Sequence, residues 1–446
     1  MRRRTGNGVG PSRQQVVLGC VLLLGLGGSV RALTVEAAKL SRVDGSDPGT
    51  GHVFLRNDSD RPVRVVGGAL NLCALADHSA DNAFWWNVTP PTIVPGAVGD
   101  VALKLREWPR QDAVFVRLRS DGGETVDSVV MAQPPGLRLC GVYLDEKLDT
   151  VFVWVRNTSD RPIRLARVLV GGEDIAGSLD EARLVCQPGA ITCLDHDMDA
   201  PLAPGAALFV RVATPGGTGD AGLVRAFSPF PLRAWRDSHA PRDLGLDQQP
   251  FLVPYPPQDP AGAGHRACLV MDFPGVVDVD HGLGSEAPEL ARRCADCREQ
   301  WPGDACVLTV SGRDDPATHL VYGAIPDLSI VYPRRSVVGY HPEASVRCFR
   351  RAKAAAAPRP FAAVCDVHNA GPPGPRVWPA EARLWAYAAI STGGKGLFYR
   401  LPERVDNPES WSVLEQEIRR VNAELHTLNP LLRVAEPAGP QAVRCS

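Results

Sequence analysis

Several carboxylates in the second half of the chain stand at or just beyond the ends of short apolar runs. Asp272 closes ACLVMD (267–272), and Asp314 with Asp315 follows ACVLTVS (305–311). Asp366 lies in FAAVCDV (361–367), and Glu403 follows KGLFYRL (395–401). Two carboxyl groups facing one centre from different strand ends can divide acid and base work: one donates a proton while the other accepts one or attacks. Asp272 and Asp366 are the pair this spacing puts forward for those catalytic roles. The plainer alternative for each single aspartate is a helix cap or a partner for a rim arginine.

Other groups around these runs have weaker claims. His368 follows Asp366 by two residues and suits a hydroxyl contact, or a solvated position in the loop NAGPPGP (369–375). Asp278, Asp280 and His281 are of metal-ligand type but lack a fourth fixed ligand, so no metal site is assigned. Cys294 and Cys297 form a C-x-x-C, but no second C-x-x-C exists. Leu290, Cys294, Cys297 and Trp301 share one helical stripe, which favours core packing over zinc. Arg334 and Arg335 sit beyond LSIVYP (328–333), where they suit an acidic ligand or simply cover a rim. No G-x-S-x-G elbow or G-x-x-x-x-G-K-[ST] occurs, and no G-x-G-x-x-G follows the first strand of the second half, so serine-hydrolase chemistry and a nucleotide cofactor lack their signatures. No cofactor is implied.

The elements that must position these residues alternate. Candidate strands are 223–235, 250–255, 267–273, 305–311, 328–333, 361–367 and 395–401, with helical spacing at 286–300, around 381–391 and after Asn407. Asn407 and Pro408 begin the last helix, an apolar stripe runs from Leu414 to Leu428, and Pro430 is expected to follow its end. Strand–helix alternation over 227–446 predicts a parallel α/β domain, and without a phosphate cradle a closed barrel is favoured over a nucleotide-binding sheet.

The first half reads differently. VFLRNDSDRPVR (53–64) returns as VWVRNTSDRPIR (153–164), and the Pro-Gly turn of IVPGAVGDVALKL (93–105) is matched with that of LAPGAALFVRV (202–212). The spacing suggests a duplicated domain of period-2 strands: antiparallel β-sandwiches at 33–132 and 133–226. Asn57, Asn87 and Asn157 lie in N-x-S/T sequons, with Asn57 and Asn157 better read as turn residues. Trp85 and Trp86 offer a weak candidate for a stacking platform.

The chain has 446 residues, a formal net charge of -2 and 44% hydrophobic residues, which points to neither nucleic acid nor an anionic membrane surface as partner. Arg2, Arg3 and Arg4 precede the apolar run VVLGCVLLLGLGGSV (16–30), and Val30 and Ala32 are small enough for cleavage after Ala32. Residues 1–32 therefore read as a signal peptide, and the protein as secreted or periplasmic with no stable membrane span after cleavage. Of 12 cysteines, Cys20 falls in that segment, leaving an odd number. Cys186 and Cys193, around a Pro-Gly turn, are the local disulfide candidate.

EARLWAYAAISTGGKGLFYR (381–400), followed by WSVLEQEIRRVNAELHTLNPLL (411–432), resembles the end of secreted bacterial glycoside-hydrolase-like TIM barrels of the β-galactosidase-type clan. PATHLVYGAIPDLSIVYP (316–333) resembles their middle, where a Y…D…D-x-Y-P pattern marks a strand with substrate-facing residues. The first half resembles the immunoglobulin-like modules beside catalytic domains in secreted bacterial enzymes. The resemblance implies two immunoglobulin-like β-sandwiches followed by a TIM-like barrel, a carbohydrate partner, and cleavage of glycosidic bonds by two strand-end carboxylates. Those groups would be about 5–5.5 Å apart for retention or about 6.5–9.5 Å for inversion. It implies Asp314, Tyr332, His368, Tyr399 and Arg400 as substrate contacts, with Lys395 at the bottom rim. The departures are Phe273, where the pattern has a glutamate, and seven candidate strands instead of eight, which imply a shortened barrel. A non-catalytic carbohydrate-binding or scaffold protein with a degenerate barrel is the alternative.

Overall fold

The computed structural model describes residues 32–41, 49–71, 73–74, 84–86, 92–105, 108–109, 113–131, 136–227, 231–234, 244, 252–254, 267–272, 287–311, 316–333, 342–367, 377–401 and 408–437. The first half is antiparallel. Leu33–Ser41, Gly49–Asn57, Val98–Leu105 and Phe84–Trp86 form one sheet. It packs on a second built around Val63–Leu70, Ala113–Ser120 and Thr125–Met131. Alternate residues of both sheets, among them Val53, Leu55, Val65, Leu103 and Val116, form one core. A second sandwich packs Leu137–Leu144, Thr150–Asn157 and Ile191–Asp197 against Arg167–Val170, Ala207–Ala213 and Gly219–Arg225.

The sequence repeat is a structural repeat down to single bonds. Asn57 Nδ2 donates to the carbonyls of Arg61 (2.7 Å) and Ile93 (2.8 Å), and its Oδ1 accepts from the Ser59 amide at 2.9 Å. Asn157 Nδ2 donates to Arg161 (2.7 Å) and Cys186 (2.8 Å), and its Oδ1 accepts from Ser159 at 2.9 Å. The first strand of each sandwich carries a bulge, between Val35 and Ala37 and between Leu139 and Gly141. Gly96 and Gly189 each donate to the carbonyl of the conserved-in-both-copies asparagine, at 2.8 and 2.9 Å. The Pro-Gly turn that matches IVPGA is therefore CQPGA (186–190), not the LAPGA expected from the strand pattern. Cys186 consequently occupies the core position of Ile93, and both Cys186 and Cys193 are free thiols here. Cys193 pairs in register with Trp154 while Cys186 pairs with Ile163 in a separate ladder, so the expected local disulfide is absent.

The second half contains a seven-stranded parallel sheet: β1 (Leu232–Ala234), β2 (Leu252–Pro254), β3 (Ala267–Asp272), β4 (Ala305–Ser311), β5 (Leu328–Tyr332), β6 (Phe361–Asp366) and β7 (Leu397–Arg400). Its order is β1-β7-β6-β5-β4-β3-β2, so the strands follow one another in chain order and the first lies beside the last. No pairing of β1 with β2 is among the described residues. Helices α1 (Ala287–Gln300), α2 (Pro316–Gly323), α3 (Pro342–Ala356), α4 (Pro379–Ser391) and α5 (Pro408–Val434) accompany the strands. Each of the seven expected runs contains a strand. Run 223–235 divides in two, with Gly219–Arg225 finishing the second sandwich before β1 begins.

Helix α5 continues through Pro430, which was expected to lie beyond its end. The proline forgoes one amide bond. The far end of the helix is held by other means: Lys395 Nζ donates to the Leu432 carbonyl at 2.9 Å and also to that of Ala435, and Trp154 Nε1 donates to Val434 O at 2.6 Å. Cys294 and Cys297 lie fully buried on the inward stripe of α1 with Leu290, as the helical spacing predicts.

The two sandwiches dock at the N-terminal edge of the parallel sheet. Arg359, just before β6, donates through Nε to Leu223 O at 3.1 Å in the second sandwich and through Nη2 to Asp100 at 3.3 Å in the first. Its Nη1 reaches the Ala324 carbonyl ahead of β5. Gly222 faces Pro358 so closely that a Cβ would stand 2.2 Å from its Cγ. Gly205, at φ +78°, would put a Cβ 1.5 Å from the Pro302 carbonyl oxygen.

Candidate functional site

Period-2 alternation divides the parallel strands between two faces. Val307, Leu328, Ile330, Ala362, Val364 and Phe398 form an inner cluster. Leu308, Val331, Ala363, Cys365, Leu397 and Tyr399 pack outward against the helices. Toward the C-terminal ends the inner face turns polar. Tyr332, Asp366 and Arg400 are the last residues of β5, β6 and β7, all in inward register, since Val364 pairs with Phe398 and Asp366 with Arg400.

These side chains form one constellation. The Tyr332 hydroxyl donates to Asp366 Oδ2 at 2.6 Å. Arg400 Nη1 donates to the Tyr332 hydroxyl at 2.6 Å and lies 3.8 Å from Asp366 Oδ2. Burial, then the neighbouring Asp366 charge, raises the Tyr332 pKa above its ordinary value, so the phenol stays protonated and remains the donor. Arg400 is 44% exposed in its side chain and Asp366 11%, so the guanidinium is the part of the group that opens outward. Such an arrangement holds the Asp366 carboxyl in a fixed orientation at the inner face of the strand ends. Deeper on the same face, the Thr309 hydroxyl is fully buried and has no hydrogen-bond partner among the described residues.

The placements of the sequence-derived residues divide sharply. Asp366, Tyr332 and Arg400 come together. Tyr399 does not join them: it is 1% exposed, faces the helices, and donates to Asn422 Oδ1 at 2.9 Å. Successive strand residues point to opposite faces, so Tyr399 and Arg400 cannot both meet a ligand. Asn422 in turn donates to Leu244 O at 2.8 Å, which makes the asparagine of VNAEL a packing residue. Asp272 ends β3 and pairs in register with Thr309, but its side chain lies outside the described residues. Asp314, Asp315, His368, Glu403, Asp278, Asp280, His281, Arg334 and Arg335 also lie outside them.

Among the described residues, the PATHLVYGAIPDLSIVYP segment contributes only Tyr332 to this edge. Asp327 sits before β5, at the opposite end, where it pairs with Arg298 at 2.7 Å and accepts from the Cys306 amide at 2.9 Å. Tyr322 and His319 are buried on the helix side. No cluster of three His, Cys, Asp or Glu suited to a metal ion occurs among the described residues. No helix there is long and apolar enough to cross a membrane.

No family model matches the sequence, and no curated protein matches it. Solved structures match at low identity. A GH2 beta-galacturonidase from Eisenbergiella tayi bound to galacturonate is 10% identical, with 83% of this chain and 89% of that chain covered and a TM-score of 0.28. A beta-glucuronidase from glycoside hydrolase family 2 is 12% identical over 80% of this chain and 41% of that chain, with a TM-score of 0.32. The CupB2 chaperone of Pseudomonas aeruginosa is 11% identical over 40% of this chain and 92% of that chain, with a TM-score of 0.15.

Proposed function

We propose that the protein is an exported glycoside-hydrolase-like protein acting on a polysaccharide or oligosaccharide at the C-terminal edge of its parallel sheet. In this reading the sheet is a shortened barrel of the TIM type, preceded by two immunoglobulin-like sandwiches, with residues 1–32 serving as the export signal. The observation that carries it is the Tyr332–Asp366–Arg400 constellation. It holds one fixed carboxylate on the inner face at strand ends, the edge where barrel enzymes build their sites. Asp366, held by the Tyr332 phenol with Arg400 beside it, takes the base or nucleophile role. Asp272 on β3 is the partner assigned to the acid role. Arg400 and Tyr332 orient the sugar hydroxyls.

A second reading draws on the same geometry. Asp366 is the only carboxylate seen at this edge among the described residues, and it is already held by two partners. A site of that kind serves carbohydrate binding without turnover. Hydrolysis of a polysaccharide panel by wild type, Asp272→Asn and Asp366→Asn separates the two. The hydrolase reading expects turnover in wild type and loss of roughly 100-fold or more in each variant. Equal turnover in all three removes these residues from the chemistry, and binding without turnover by wild type selects the second reading.

A further inference from the structure

The two sandwiches repeat the same bonds but not the same charges. In the first, Glu36 is the bulge residue of Leu33–Ser41, and Asp58 follows the buried Asn57. Arg56 joins the two acids: its Nη1 lies 2.7 Å from Glu36 Oε1, and its Nε donates to Asp58 Oδ1 at 2.6 Å. In the second sandwich the bulge residue is Cys140, and Thr158 follows Asn157. Arg156 keeps the place of Arg56, so both carboxylates are gone while the guanidinium stays. Directly across the strand pair, where Arg56 faces Thr34, Arg156 faces Arg138. Two like charges side by side destabilise a sheet, and an anion between them removes the conflict.

Neither Arg138 nor Arg156 forms an ion pair among the described residues. Arg156 Nε, the counterpart of the nitrogen that holds Asp58, is buried with no partner there. The carboxylates beside the bulge are committed elsewhere. Asp220 takes Lys39 and the Leu139 amide, each at 2.9 Å, and Glu436 takes Lys353 and the Tyr143 hydroxyl. Arg138 is exposed and Arg156 half-buried. Trp154, two residues before Arg156 and so on the same outward face, is also half-buried, with its indole pinned by the bond from Nε1 to Val434 O. We propose that Arg138 and Arg156 bind the carboxylates of a uronic-acid glycan, making the second sandwich a binding module for an acidic polysaccharide. A planar guanidinium matches a carboxylate through paired N–H donors, as Arg56 does with the acids of its own sandwich. Trp154 offers an apolar ring surface to a pyranose beside them. That the ligand group is a carboxylate follows from the repeat; that a glycan carries it rests on the carbohydrate reading above.

The test is calorimetric titration of the full chain with a galacturonate oligomer, its methyl ester and a glutamate oligomer. The galacturonate oligomer should bind, more weakly as salt rises, and the ester and the glutamate oligomer should bind less well. Arg138→Gln and Arg156→Gln should each weaken galacturonate binding by about 10- to 100-fold, as for loss of a hydrogen bond to a charged group, without lowering the urea midpoint. Arg56→Gln should leave binding unchanged, because Arg56 already holds acids of its own sandwich. Equal binding of ester and free acid overturns the proposal while leaving the carbohydrate reading standing. Tighter binding of the glutamate oligomer gives the site to an acidic peptide and also overturns it. So does absence of galacturonate binding, or wild-type affinity in both arginine variants.

Discussion

Removing the phenol hydroxyl by Tyr332→Phe takes away the hydrogen bonds that tie Asp366 to Arg400 through Tyr332. Turnover should fall by about 10- to 100-fold, as for loss of a hydrogen bond to a charged group. Steady-state rates of purified variant and wild type read the effect, and an unchanged rate would detach Tyr332 from the site. Thr309→Val is expected to behave in the opposite sense for stability. It replaces a buried hydroxyl that has no partner among the described residues, so urea unfolding should show unchanged or greater stability, while carbohydrate binding weakens if that hydroxyl meets the ligand. At this scale the sequence placed Asp366 at a strand end, where the structure has it as the last residue of β6. It misled at Tyr399 because two adjacent polar-tipped residues look alike in a linear text while strand geometry sends them to opposite faces.

Elements were more legible than side chains. The strands and helices of the second half follow from apolar runs separated by helical spacing, and the repeated N-x-S-D-R-P turn was visible as a string. What the string did not contain was the partner of that turn: Asn57 and Asn157 are buried and reach across to Ile93 and Cys186, contacts made 36 and 29 residues away. Asn157→Ala should cost about 1–3 kcal/mol by leaving buried carbonyls unpaired, measured by urea unfolding; an unchanged midpoint would make the turn incidental. Both side-chain amides are fully engaged, so peptides containing Asn57 and Asn157 should carry no glycan in folded protein secreted from a glycosylating host. Helix α5 passed its proline because anchors from elsewhere, Lys395 and Trp154, hold its last carbonyls, and no local rule contains them.

Across the whole molecule, Lys395 lies at the junction of sheet, α5 and second sandwich. Its ammonium position is 4.1 Å from the Tyr143 ring centre, while Lys353 binds Tyr143 and Glu436 beside it. Burial, partly offset by Glu436, brings the Lys395 pKa down to about 7. The unfolded chain therefore holds a proton that the folded chain releases, and stability should rise as pH increases from about 7 toward the ordinary lysine value of 10.5. Lys395→Met should flatten that slope in urea midpoints taken across the window; a slope equal to wild type would place the titration elsewhere. Gly222→Val sets side-chain atoms against Pro358 and should separate the second sandwich from the sheet, read as an added calorimetric transition. The pairing of β1 with β7 also dictates an order of events during synthesis. The edge of β1 has no partner until Leu397–Arg400 has left the ribosome, and Lys395 finds its carbonyls only after Ala435 follows. Each nascent chain thus completes its sandwiches first and carries an unfinished parallel sheet until Leu397–Arg400 emerges, the interval in which chaperone protection of the exposed edge matters most.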